Sequence, residues 1–314
     1  TGNLCFESAS VALRPRITPD LHICGRFPVM HLPPETPIDR YIIEQALGEG
    51  ATAVVYRVRH RDLGSVHAMK VLKEGVDSRV VRRLMDEGRT QALLRHDNIV
   101  SVTDIVQAEQ IVGLVMELVT GPSLAHLLRA RRLSLDEVDD LARQIMVGVG
   151  AAHQLGMVHR DLKPGNILLA RRGNQLRVKI TDFGMAKLIT GPSLTRTGTT
   201  MGTPIYMAPE QIEDSKSVDQ RADIWSLGAL LYEMVCGKRA FAGNTHVQVF
   251  NKVLQGQYDP PEKLVPDLPR RMVDAIKGAL VVCANERIVD CGTLWEVWSS
   301  DATVTDTFSW HSLP

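Results

Sequence analysis

The run His159-Arg160-Asp161-Leu162-Lys163-Pro164-Gly165-Asn166 constrains this chain more than any other stretch. Ahead of it, Leu141, Ile145, Val149 and Ala152 recur at the spacing of one helix face. Behind it, residues 166–169 and 176–180 read as the two strands of a short hairpin. The run itself reads as a loop that brings an acid, an ammonium and a carboxamide into one cleft. Asp161 can accept a proton from an attacking hydroxyl. Lys163, two residues on, lies on the same side of an extended segment and can neutralise charge on a moving phosphoryl group. Asn166 offers an amide oxygen to a hard cation such as Mg²⁺. A His-Arg-Asp tripeptide alone is common by chance. The whole run, followed by Ile167-Leu168-Leu169, is far more specific.

Other segments fall into a matching order. Leu47-Gly48-Glu49-Gly50-Ala51-Thr52-Ala53-Val54-Val55-Tyr56 is a glycine turn between two β-rich runs. His67-Ala68-Met69-Lys70 follows, then Thr181-Asp182-Phe183-Gly184. Gly202-Thr203-Pro204-Ile205-Tyr206-Met207-Ala208-Pro209-Glu210 and Asp223-Ile224-Trp225-Ser226-Leu227-Gly228 complete the series. Together with the loop at Asp161, these resemble the glycine-rich loop, β-strand lysine, catalytic loop, metal-binding element, activation-segment end and central helix of protein kinases. The resemblance covers most of the chain and is nearest to the eukaryotic-type serine/threonine kinases of bacteria. It implies an α+β, two-lobed fold: a small lobe with an antiparallel sheet and one helix, a larger mainly helical lobe, and an ATP cleft between them.

The rest of the chain agrees with that reading. At 314 residues it exceeds one ordinary domain and suits a two-lobed enzyme. A 44% hydrophobic content gives ample core. Net charge is zero, so no global field favours nucleic acid or a membrane surface. Arg129, Arg131 and Arg132 cluster, which reads more readily as a solvated helix end than as a docking site. Five scattered cysteines with no Cys-x-x-Cys spacing argue against a disulfide framework or a zinc site, and a reducing cytoplasm is the expected setting. No segment approaches the ~20 apolar residues of a membrane span. Many bacterial relatives carry a span and a sensor domain beyond the kinase domain, so the chain is expected to be a soluble kinase or a fragment of a longer one.

Residues 1–40, punctuated by prolines, read as an irregular extension. Residues 41–119 form the expected small lobe and hinge, 120–300 the large lobe, and 301–314 a short tail. In the small lobe three β-rich runs occupy residues 41–72, with further strands at 101–106 and 111–117. Val80, Leu84, Gly88 and Ala92 share one face of a helix. In the large lobe, helices are expected near 219–236, 245–255, 270–280 and 293–299.

The resemblance assigns roles residue by residue. Gly48 and Gly50 let the backbone approach the phosphates of ATP; the family's third glycine is Ala53 here, a small obstacle. Lys70 contacts the α- and β-phosphates and pairs with Glu87, with Asp86 as the competing choice. Gln91 stands where many kinases carry an apolar residue, which would loosen the helix's coupling to Phe183. Met116 is the gatekeeper, and Glu117 and Val119 offer backbone groups to adenine. Val55, Ala68 and Leu168 sandwich the ring; read alone, these apolar residues are plain core. Asp182 and Asn166 hold Mg²⁺ or Mn²⁺; read alone, Asp182 is a turn residue. His159 packs against Phe183. Glu210 and Arg287 form a buried ion pair, although the phrase Asn285-Glu286-Arg287 departs from the family's Pro-containing form. Lys163 and Thr203 mark serine/threonine rather than tyrosine specificity, with Thr203 bonding Asp161 and Lys163. Thr195 and Thr197 stand seven and five residues before Gly202, where bacterial relatives are autophosphorylated. Relatives dimerise through the small lobe, and autophosphorylation between molecules would bring two copies together.

Two other readings compete. A pseudokinase scaffold finds support only in Ala53 and Gln91, since Lys70, Asp161, Asn166 and Asp182 are all present. A small-molecule phosphotransferase on the same fold is disfavoured by Ala208-Pro209-Glu210, which resembles a protein-substrate platform.

Overall fold

The computed structural model describes residues 32–50, 52–73, 77–108, 111–173, 175–183, 204–213 and 218–300, all within the compact unit His31–Pro314. The smaller lobe is built on β1 (Pro37–Ile38), β2 (Tyr41–Glu49), β3 (Ala53–His60), β4 (Val66–Leu72), β5 (Val102–Ala108) and β6 (Ile111–Glu117). These strands form one antiparallel sheet in the order β1-β2-β3-β4-β6-β5. Alternation sets its faces. On β3, Val54, Tyr56 and Val58 are buried with Ile43, Met69 and Val115 in one cluster. Arg57 and Arg59 lie on the other face, where both reach Glu44 at 2.7 and 3.2 Å.

Helix α1 (Ser78–Leu93) crosses this sheet. Leu84 packs with Ala53, Leu72 and Val112, joined by the half-buried Val80. Ala53 thus has a packing role: its methyl is absorbed between sheet and helix, whereas the sequence suggested an obstacle at the phosphates.

The larger lobe holds α2 (Leu124–Ala130), α3 (Leu135–Gln154), the hairpin β7 (Ile167–Arg172) and β8 (Gln175–Ile180), α4 (Pro209–Glu213), α5 (Arg221–Cys236), α6 (His246–Leu254), α7 (Pro261–Leu264), α8 (Arg270–Ala279) and α9 (Cys291–Ser299). Helix α3 starts on a capping box: the Ser134 hydroxyl accepts from Glu137 N, and Glu137 accepts from Ser134 N. Glu137 also takes both arms of Arg131 at 2.7 Å, so that arginine serves the helix start. Helix α5 is buried along nearly its whole length, with Trp225 stacked on Phe241 at 5.3 Å. Gly237, at φ 58°, ends it in the left-handed conformation that glycine adopts at least cost.

Two junctions join the lobes. Residues 96–100 lie along β8: Ile180 N donates to Asn98 O at 2.8 Å and Val100 N to Ile180 O at 2.9 Å. The buried Asn98 amide donates to Gln144 Oε1 on α3 and to Val178 O. At the second junction the chain leaves β6 through Gly121. A Cβ there would overlap the carbonyl oxygen of Leu169, so only glycine lets the connection run this close to β7.

Sequence periodicity located most elements to within two residues. Strand β5 runs to Ala108 rather than 106. Helix α9 starts at Cys291 rather than 293, because the Asp290 carboxylate accepts from Thr293 N and opens the helix early. Asn166 is not the first residue of a strand but closes a 3-10 turn, Pro164–Asn166.

Candidate active site

The loop between α3 and β7 is held from beneath by Asp223, a fully buried carboxylate on α5. Its Oδ2 accepts from His159 N at 2.7 Å and from His153 Nε2 at 2.8 Å; its Oδ1 accepts from Arg160 N at 2.8 Å. Arg160 adopts φ 65°, a left-handed conformation uncommon for residues other than glycine. Gln211 of α4 secures the other side of that peptide, donating to Arg160 O at 2.8 Å. Sequence reasoning missed Asp223, Gln211 and His153 as clamps. An acid near the start of an otherwise apolar helix was the available signal for Asp223.

Above this clamp sit the predicted catalytic groups. Lys163 Nζ donates to Asp161 Oδ2 at 2.6 Å. Asn166 Nδ2 donates to Asp161 O at 2.8 Å and to Asp161 Oδ2 at 3.1 Å. The amide nitrogen of Asn166 is therefore spent on the loop, and its oxygen is the atom left for a cation. Both Asp161 and Lys163 keep more than a third of their side chains exposed, at 38% and 36%, so a substrate can reach them. His159 is buried against Phe183, ring centroids 4.6 Å apart, with Nε2 at 3.0 Å from Thr181 O.

Asp182 also takes a left-handed backbone, φ 67°. Its Oδ1 accepts from Lys70 Nζ at 2.7 Å. Burial acts to raise its pKa, but Lys70, helped by His159 and Lys163, outweighs burial and holds the carboxyl below its ordinary value. The carboxylate on Lys70 in this structure is thus that of Asp182, where the sequence suggested Glu87. Glu87 is half-buried on α1. Burial lowers the Arg160 pKa, while the charges of Asp223 and, less strongly, Glu87 work to raise it. Asp86 turns outward to Arg89 at 3.1 Å. Gln91 is buried.

Val55, Ala68, Met116, Val119 and Leu168 come from four strands and a connection, yet they meet in one apolar cluster with Val100, Val102 and Leu114. Glu117 N donates to Ser101 O at 2.9 Å, so an adenine contact from this residue falls to its carbonyl. A Cβ on Gly48 would meet nothing within 4 Å, and one on Gly50 only Ala53 O at 3.6 Å. Neither glycine has a positive φ. The chain itself therefore does not demand glycine at these positions, and the open space beside Gly48 fits a backbone kept bare for a ligand.

Glu210 and Arg287 pair as expected, with Nη1 to Oε1 at 2.7 Å and Nη2 to Oε2 at 2.9 Å. Thr195, Thr197 and Thr203 lie outside the described residues.

The comparisons with known proteins agree with this geometry. The model of the protein kinase domain matches residues 41–298. The serine/threonine-protein kinase PkaA of Streptomyces coelicolor is 38% identical over 242 residues, covering 73% of this chain and 44% of that protein. PknA of Mycobacterium tuberculosis, also a serine/threonine-protein kinase, is 39% identical over 250 residues, 77% of this chain and 56% of that one. The chain thus spans about half the length of these two relatives. Myosin light chain kinase A of Dictyostelium discoideum is 33% identical over 82% of this chain and 87% of its own. Among solved structures, the PknI kinase domain of Mycobacterium tuberculosis superposes with a TM-score of 0.69 over 86% of this chain and 99% of that one, at 24% identity, a likeness of fold. No helix among the described residues is long and apolar enough to cross a membrane. A motif series in family order, a sheet lobe joined to a helical lobe, and a domain match across residues 41–298 converge: the chain belongs to the protein kinase family.

Proposed function

We propose that this chain transfers the γ-phosphoryl group of ATP to serine and threonine hydroxyls of proteins, with residues 41–119 as small lobe and hinge and 120–300 as large lobe. The observation that carries this is the joint placement of Lys70 on Asp182 and of Lys163 and Asn166 on Asp161. Phosphoryl transfer asks a protein mainly for positioning and charge compensation. Asp161 orients the attacking hydroxyl and accepts its proton, while Lys163 offsets charge on the transferred group. Lys70 is set to hold phosphate oxygens, and Gly48 and Gly50 leave room for the backbone to approach them. Met116, Glu117 and Val119 line the adenine edge, and Val55, Ala68 and Leu168 enclose the ring. Thr203 would tie the substrate platform to Asp161.

Asp182 and the oxygen of Asn166 are hard donors that fit Mg²⁺ or Mn²⁺. When bound, such an ion neutralises charge on the phosphates. In phosphotransfer Lys70 would exchange Asp182 for the phosphates and Glu87, which leaves the Asp182 carboxylate to the ion.

Lys70→Met tests the assignment. Phosphotransfer to a generic basic protein, followed with labelled ATP and Mg²⁺, is expected to fall below detection. The melting temperature should hold, because without Lys70 the burial that raises the Asp182 pKa lets that carboxyl take up a proton instead of standing as an unpaired charge. Near wild-type turnover would remove Lys70 from the site, and intact nucleotide binding by a wild-type chain without turnover would favour the scaffold reading.

Regulation by phosphorylation of Thr195 and Thr197, between molecules, is part of the same proposal. A phosphate there adds about −2 charge and can engage a basic group through charge-assisted hydrogen bonds. Arg160, beside Asp161, is the receiving group in the family. Thr195→Ala/Thr197→Ala is expected to lower activity at least about tenfold, roughly 1.4 kcal/mol in barrier. Mass spectrometry of protein made with and without Asp161, together with kinetics of the double variant, checks this. An unphosphorylated but fully active protein would dispose of the switch.

A further inference from the structure

A groove of about 840 Å³ opens where the α1–β5 connection meets α3 and β8, and none of the residues assigned above to catalysis or nucleotide binding lines it. Its walls carry Arg95 and Asp97 from the connection, Val147 from α3, and Arg177 and Lys179 from β8. Three cations thus face one carboxylate, in a chain whose formal charges cancel overall.

The strand sets the spacing of two of these cations. Leu176, Val178 and Ile180 are buried in the core of the large lobe, so Arg177 and Lys179 project together from the opposite face of β8. Two residues along a strand separate them by roughly 6.7 Å, the repeat of alternate side chains in any extended peptide. Lys179 already holds Glu117, at 2.8 Å to Oε1. Arg95 and Arg177 enter no ion pair among the described residues, and Arg95 is exposed. The Arg177 Nε is buried and has no hydrogen-bond partner among the described residues, so no described acceptor offsets the desolvation of that donor. Val147 lies 46% exposed on the same wall, an apolar seat beside the charges.

We propose that this groove docks an extended acidic segment of a partner protein. Asp or Glu side chains at alternate positions would meet Arg177 and the outer side of Lys179. A further carboxylate would meet Arg95, and an apolar side chain would rest on Val147. Arg95 and Arg177 are the main anchors, because Glu117 already occupies much of Lys179. The inference does not depend on phosphotransfer, since binding is read directly.

The test uses the full chain and a short dye-labelled peptide of alternating Asp and Glu with one Leu, followed by fluorescence anisotropy. Saturable binding is expected, weaker as salt is raised because partly exposed ion pairs are screened. Arg95→Glu/Arg177→Glu should weaken it at least about tenfold, since two attractive pairs become repulsive. Arg61→Glu/Arg129→Glu makes the same change of net charge at exposed sites off the groove and should leave affinity within about twofold. If the double reversal fails to fold, Arg95→Gln/Arg177→Gln carries the test, with an expected loss of about threefold. Absence of saturable binding would overturn the proposal. So would equal losses in groove and control variants, or equal affinity for a peptide with Lys in place of the acids.

Discussion

Asp161→Asn is expected to lower turnover by about 10²–10⁴-fold while nucleotide affinity stays near wild type. The substitution keeps the shape of the side chain and removes its capacity to take a proton. It also weakens the contact with Lys163, now 2.6 Å from Oδ2. The loop should survive, because its backbone is held by Asp223 and Gln211 rather than by the Asp161 carboxylate. The groups proposed to face the nucleotide, Val55, Ala68, Met116 and Leu168, belong to a separate apolar cluster. Single-turnover rates and nucleotide titration on the same preparation separate the two quantities. A variant with normal turnover at saturation but poor affinity would place Asp161 in binding rather than in proton transfer.

Arg287→Ala is expected to cost about 3–5 kcal/mol of stability, the range seen when one partner of a buried pair is removed. Its guanidinium is fully buried. Besides the two bonds to Glu210, it donates to Arg221 O at 2.6 Å, Val281 O at 2.9 Å and Val282 O at 3.2 Å, and its Cζ lies 5.2 Å from the centre of the Trp225 ring. Alanine would leave those carbonyls and the Glu210 carboxylate without their donors. Arg287→Lys should not restore the loss, because an ammonium cannot reproduce the planar fork. Urea unfolding of both variants decides the matter. A change in free energy below about 1 kcal/mol, the scale of a surface pair, would show that the ion pair does not anchor the lobe.

The family and its motif residues were legible because they sit in contiguous runs, where neighbours identify each other. Asp161, Lys163 and Asn166 share one loop, and the structure brings them within hydrogen-bond reach. That Val55, Ala68 and Leu168 share one cluster was suggested only by register with those motifs, since they carry no chemical mark of their own. The contact of Lys70 with Asp182 was not legible. Glu87 and Asp182 are both acids that a lysine on β4 can serve, and which of them it takes depends on the placement of α1, a tertiary matter. The clamp beneath the loop was hidden for a related reason. His153, Gln211 and Asp223 lie far apart in sequence, and only packing of α3, α4 and α5 aligns them. Ala53 carried a packing role that the motif comparison did not show: read as a small obstacle in place of a glycine, its methyl packs against Leu84 of α1.

Asn98 gives helix α1 a fulcrum. The segment just past the helix is pinned to α3 and β8 through the Asn98 amide and through the backbone of residues 98 and 100. Any swing of α1 therefore turns about its C-terminal end. At 1.5 Å of rise per residue, Glu87 stands roughly 9 Å up the lever from Leu93, so a tilt of about 10° carries its carboxylate roughly 1.6 Å sideways. The same tilt leaves Leu94 nearly still. A tilt of the helix would thus be felt at Glu87, while the joint at Asn98 would stay packed. Hydrogen exchange along α1 should accordingly slow from Ser78 toward Leu93, and Asn98→Ala should flatten that gradient by loosening the pivot.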